Sequence, residues 1–100
     1  MLIYNVTVSI NKTIEAEWTQ WMKQTHIPNV LNTRLFRGYQ FYKVLSHDDP
    51  TTNSFCTMYQ VEKIEDFVKY LNEFAPALRA EVDQKYGGQY AAFRTLLEEV

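Results

Sequence analysis

Residues Leu2 to Ile10 alternate: Tyr4, Val6, Val8 and Ile10 point one way and Asn5, Thr7 and Ser9 the other. This period of two predicts a strand with unlike faces. The rhythm then changes. Ile14, Trp18, Trp21, Met22 and Thr25 recur at helical spacing and lay one broad apolar stripe along a helix of about three turns. Asn11 or Thr13 can cap this helix, and Glu15 and Glu17 suit the positive end of its dipole. Pro28 disfavours helical geometry at Ile27, so the helix is expected to end or kink near His26, followed by a short helical turn over Asn29 to Thr33.

Arg37-Gly38 opens a second strand, Tyr39 to Ser46, with Tyr39, Phe41 and Leu45 on one face and Tyr42 and Val44 on the other. The run from Ser46 to Asn53 is rich in turn formers and reads as a hairpin loop. A third strand, Ser54 to Val61, sets Phe55, Thr57, Tyr59 and Val61 against Cys56, Met58 and Gln60. Ile64, Phe67, Val68, Leu71 and Phe74 form a second helical stripe, with Glu65 and Lys69 paired one turn apart. Pro76 breaks that helix and can start another, in which Leu78, Val82 and Tyr86 continue the stripe until Gly87-Gly88 stops it. Tyr90 to Val100 is the fourth strand, with Ala91, Phe93, Thr95 and Leu97 on one face and Ala92, Arg94 and Leu96 on the other.

The order βαββαβ predicts an α+β, ferredoxin-like domain over residues 1–100, a four-stranded antiparallel sheet with its helices on one face. Such a sheet leaves its second face bare. Whichever way the strands face, several of Tyr42, Val44, Met58, Ala92 and Leu96 are expected to lack cover there, and a second copy packed sheet to sheet would bury them in an eight-stranded barrel. A homodimer is therefore the expected assembly.

Composition narrows the function classes. The net charge of -2 comes from 10 basic and 12 acidic residues spread along the chain, so no concentrated basic face exists to neutralise phosphates, and nucleic acid is not an expected partner. No apolar run approaches the roughly 20 residues that span a bilayer, and the start lacks the basic and apolar pattern of a signal peptide. A cytoplasmic protein without membrane contact is expected. Cys56, the single cysteine, has no partner for a disulfide or for zinc and reads as a small buried apolar side chain. No metal constellation, glycine-rich phosphate loop or nucleophile elbow occurs, and no cofactor is called for.

The candidate chemistry sits at His26. An imidazole at a helix C-terminus can act as general base or donor, or can simply cap the last carbonyls of its own helix. His47, beside Asp48 and Asp49, is expected in solvent, and Arg79 and Arg94 are expected to pair with Glu81, Glu98 or Glu99 rather than with a ligand. Trp18, Trp21, Tyr39, Tyr42 and Tyr59 supply more aromatic surface than so small a core needs and are the candidate walls of a ligand site.

Four segments carry a resemblance: Ile3 to Val8, WMKQTHIPNVL (Trp21 to Leu31), APALRAE (Ala75 to Glu81) and AFRTLLEEV (Ala92 to Val100). Together they resemble a family of short bacterial domains of unknown function, itself similar to the dimeric α/β-barrel superfamily of cofactor-independent monooxygenases, lactone isomerases, haem-degrading enzymes and EthD-like proteins. The resemblance implies a pocket between helices and sheet that holds a small apolar or aromatic ligand. It also implies a second reading, a cofactor-independent monooxygenase or isomerase of a small ring compound with His26 as general base, and a third, haem held through His26. The family pattern has an aspartate after the proline of the His-Ile-Pro step. This chain has Asn29 there, which leaves His26 without that carboxylate.

Overall fold

The computed structural model describes residues 1–100. Four strands, β1 (Leu2–Asn11), β2 (Gly38–Lys43), β3 (Thr52–Val61) and β4 (Tyr90–Glu98), form one antiparallel sheet in the order β2-β3-β1-β4. Between β1 and β2 runs a helical stretch made of a 3-10 turn (Lys12–Ile14), α1 (Glu15–Trp21), a wide π turn (Met22–His26) and α2 (Ile27–Leu31). Helices α3 (Ile64–Glu73) and α4 (Ala75–Tyr86) connect β3 to β4. This is the ferredoxin-like order expected from the alternation of periods.

Register assigns the faces, because residues directly opposite in an antiparallel ladder share a side. Tyr4 lies opposite Tyr59 and Leu96, Val6 opposite Thr57 and Arg94, and Val8 opposite Phe55 and Ala92. These rows face the helices. They pack beneath Trp18, Met22, Ile27 and Val30 of the first helical stretch and beneath Tyr70, Leu78 and Tyr86 of α3 and α4, all buried in one core with Phe36 from the loop before β2. Each large apolar side chain so buried contributes about 1.5 to 3 kcal/mol, enough in sum to fix which face the helices cover.

Several expectations change. Ala92 and Leu96 belong to the helix-covered face, so the outer face carries Phe93 and Leu97 beside Ile3, Met58 and Tyr42. Strand β2 stops at Lys43, which leaves Val44 and the exposed Leu45 outside it, although Val44 still donates its N–H to Ser54 at 2.8 Å. Cys56 lies half-buried on the outer face, with Sγ 3.6 Å from Thr7 Oγ1, rather than in the core. His47 is held in place: its ring nitrogens meet Thr52 Oγ1 at 3.0 Å and Ser54 Oγ at 3.1 Å, and Ser54 in turn meets Ser9 at 2.6 Å. Neither Asn11 nor Thr13 caps the first helix with its side chain, because the 3-10 turn intervenes.

Pro28 does not end the helix. A proline ring collides with the carbonyl four residues back and supplies no N–H. The π turn resolves this conflict: Ile27 N–H reaches Met22 O, five residues back, and the widened turn lets the chain continue into α2 with Pro28 in its first turn. Pro76 behaves as expected and sits in the first turn of α4. At the far end of α4, Gly88 adopts φ 80° and a Cβ on Gly87 would lie 2.5 Å from the Asp83 carbonyl oxygen, so both glycines serve the turn into β4.

Candidate functional site

The π turn decides where His26 goes. Inserted in the middle of a helical stretch rather than at its end, the imidazole cannot cap free carbonyls, and it turns instead toward the sheet. Its ring stacks on Trp21, centroids 5.3 Å apart and planes 23° apart, and Trp21 meets the edge of Tyr86 at 5.4 Å. Nδ1 of His26 is shut off from solvent and has no hydrogen-bond partner. Burial, with Arg94 adding charge repulsion, lowers its pKa from 6.5 to about 4, so the ring is neutral at pH 7.

His26 lines a cavity between helices and sheet. Its apolar walls come from Val6 and Val8 of β1, Trp18, Met22 and Val30 of the first helical stretch, Leu78 and Val82 of α4, and Ala92 of β4. Its polar groups are His26, Thr57, Arg79, Arg94 and four tyrosines, Tyr4, Tyr59, Tyr70 and Tyr90. The cavity measures about 40 Å³ within a cleft of about 550 Å³ that counts the part open to solvent. An ordered water needs roughly 10 to 15 Å³, so the closed space holds about three.

Three of the lining tyrosines, Tyr59, Tyr70 and Tyr90, are held firmly as protonated phenols. Burial pushes the Tyr59 and Tyr70 phenols up, Tyr70 to about 12, with repulsion from neighbouring phenols adding to it. Tyr90 is raised to about 12 by burial and by its hydrogen bond to Asp83. Tyr4 accepts a hydrogen bond from Arg79 Nη2 at 3.2 Å. The rings of Tyr4, Phe36, Tyr59 and Tyr70 pack against one another, with centroids 4.9 to 6.2 Å apart, and stiffen the floor of the site.

Of the candidate residues, the fold brings His26, Trp18 and Tyr59 together around one cavity. Trp21 backs the imidazole from outside it. Tyr39 stands directly opposite Tyr59 on the helix-covered face of edge strand β2 but is exposed and is not one of the lining residues, and Tyr42 faces the other side of the sheet. Neither joins the site. The expected ion pairs of Arg79 and Arg94 are absent: the salt bridges are Arg37 with Glu62, Lys43 with Glu15 and Lys85 with Glu17. Tyr4, Tyr70 and Tyr90 were not singled out by sequence reasoning. The inward alternation of β1 marks Tyr4, but the meeting of α3, α4 and β4 at one cavity has no signal in the spacing of residues. No group of three or more His, Cys, Asp or Glu side chains comes together, and no helix is long and apolar enough to cross a membrane.

Solved structures share this architecture. An EthD family protein from Bacillus halodurans superposes with a TM-score of 0.70 at 13% identity, covering 100% of both chains. A proposed antibiotic biosynthesis monooxygenase from Deinococcus radiodurans gives 0.68 at 17% identity over 100% of this chain and 93% of its own. The haem degrader MhuD from Mycobacterium tuberculosis, with two haems bound in its active site, gives 0.67 at 18% identity over 100% and 96%. At these identities the likeness establishes the ferredoxin-like fold. No curated protein matches the sequence. A family model described as "Domain of unknown function (DUF4286)" matches residues 1–100.

Proposed function

The chain belongs to the DUF4286 family, and we propose that it works as a single-domain cytoplasmic homodimer that binds a small aromatic ligand between helices and sheet. One observation carries this reading: a neutral, partly buried His26 whose Nδ1 is shut off from solvent and has no partner, on the wall of a cavity lined mostly by aliphatic and aromatic side chains. An unmet buried polar atom costs about 1 to 3 kcal/mol, and a ligand group that pairs with it recovers that cost. Trp18 and Tyr59 are the walls and His26 the polar contact. Haem, bound by the Mycobacterium tuberculosis protein, is several times larger than one aromatic ring, and the closed space of about 40 Å³ must already widen to take a single ring.

A thermal-shift screen of small aromatic compounds tests the reading, because a ligand that binds only the folded chain raises its stability, by about 2.7 kcal/mol at 100 times Kd. His26→Asn should keep the fold and weaken a stabilising compound by about 1 to 3 kcal/mol, the scale of one hydrogen bond in a desolvated site. Unchanged affinity in that variant would remove His26 from the site. An enzymatic reading, oxygenation or isomerisation of a small ring compound with His26 as general base, is favoured by the same free nitrogen. It stands second because a pKa of about 4 lies well below neutrality, where a proton acceptor works best near the operating pH.

The dimer has its own support. Phe93 is 63% exposed, Tyr42 49% and Leu97 40%, and with Ile3 and Met58 they lie on the uncovered side of the sheet. A partner sheet laid there would bury an area on the order of 1,200 Å² or more in total. Light scattering should return twice the 11.9 kDa of one chain. Met58→Asp should shift the mass to the monomer, since a carboxylate buried without a partner is costly, while Asp48→Ala in the β2–β3 loop should leave the mass unchanged. A monomer across micromolar concentrations in the unaltered chain would end the dimer proposal.

A further inference from the structure

We infer that the ligand of this cavity is an anion, an aromatic carboxylate whose charged group is received by Arg79 and Arg94. The inference rests on the reading of the cavity as a ligand site and adds its charge. Two guanidinium groups, one from α4 and one from β4, reach the same cavity, and no carboxylate lies within salt-bridge distance of either. The lining contains no Asp or Glu. Asp83, the acid nearest to it in the hydrogen-bond network, already accepts from Tyr90. In a chain with more acidic than basic residues, two unpaired arginines at one concave site are a local excess of positive charge that the rest of the molecule does not balance.

The other polar groups point the same way. Tyr59 and Tyr70 are protonated phenols, and the neutral imidazole of His26 can offer a proton on one nitrogen. Donors therefore outnumber acceptors around the cavity, which suits a group that only accepts. Arg79 is steadied by its hydrogen bond to Tyr4 and keeps its remaining N–H groups free. A planar guanidinium matches a carboxylate through paired hydrogen bonds. Depth orders the rest: Trp18 and Tyr59 are almost fully buried, Arg79 is half-buried and Arg94 exposed, so the ring belongs inside and the charge at the mouth. Met22, an unbranched and adaptable side chain in the wall, can yield to admit the ring.

Benzoate and its neutral isostere benzamide separate the terms when titrated into the full chain at pH 7, with binding read by calorimetry at 50 mM and 500 mM salt. Benzoate should bind at least tenfold more tightly than benzamide, with an advantage that shrinks at high salt. Arg94→Gln and Arg79→Gln should each abolish most of the advantage while circular dichroism stays that of the parent. Equal affinity for the two compounds, or an advantage that survives both substitutions, overturns the anion assignment and leaves the aromatic-ligand reading in place. Binding of neither compound at millimolar concentration overturns both.

Discussion

Between pH 6.5 and pH 4 the folded protein should lose about 2 to 3 kcal/mol of stability through His26 alone. The imidazole titrates near 6.5 in the unfolded chain and about 4 in the folded one, where burial and then Arg94 disfavour its charged form. Above pH 6.5 the ring is neutral in both states and the contribution is fully present. As the pH falls below 6.5 the unfolded chain takes up a proton that the folded chain refuses, so unfolding gains free energy until the folded ring also protonates near pH 4. Urea unfolding at fixed protein concentration, repeated across this window for the parent and for His26→Asn, isolates the effect, because other groups titrate in both proteins. The stability of the variant relative to the parent should rise by about 2 to 3 kcal/mol as the pH drops. Parallel curves would mean that His26 is solvated in the folded state, and the cavity would lose its unpaired nitrogen.

The same residue marks where the sequence was readable and where it was not. Alternation in β1 and β3 is a local signal and separated Tyr4, Val6 and Val8 from Asn5 and Thr7, and Phe55, Thr57 and Tyr59 from Cys56 and Met58; register and the helices then make the first row of each the inward one. In β4 the alternation was equally clear, but which of its two faces points inward depends on register with β1, and so Ala92 and Leu96 stood among the candidates for the outer face until register put them inward. Pro28 carried a correct local rule, the clash with a carbonyl one turn back, whose outcome was decided by an unexpected means, a π turn that moves the carbonyl away. That widened turn took His26 from a helix end to a cavity wall. Arg79 and Arg94 were assigned to nearby acids because sequence separation is the only proximity a sequence offers. Folding brought them to a common cavity from positions 15 residues apart.

Trp18→Ala should cost about 3 to 5 kcal/mol, a large part of the roughly 5 to 15 kcal/mol that holds such a domain folded. Trp18 is 1% exposed and rests on Phe55 at 5.1 Å and Phe41 at 5.8 Å, both rings tilted against the indole, so its removal leaves a void between α1 and the sheet that these rigid neighbours do not close. Trp18→Phe keeps an aromatic face toward both rings and should cost markedly less. The void also adjoins the ligand cavity, since Trp18 is one of its walls. Added indole should therefore raise the thermal midpoint of Trp18→Ala by more than it raises that of the parent, as an apolar void accepts an apolar guest of matching shape. A loss below about 1 kcal/mol would show that the indole is not packed as described. A full loss without rescue by indole would show that the space is sealed from the cleft, and a ligand site reached from the cleft would then have to end short of Trp18.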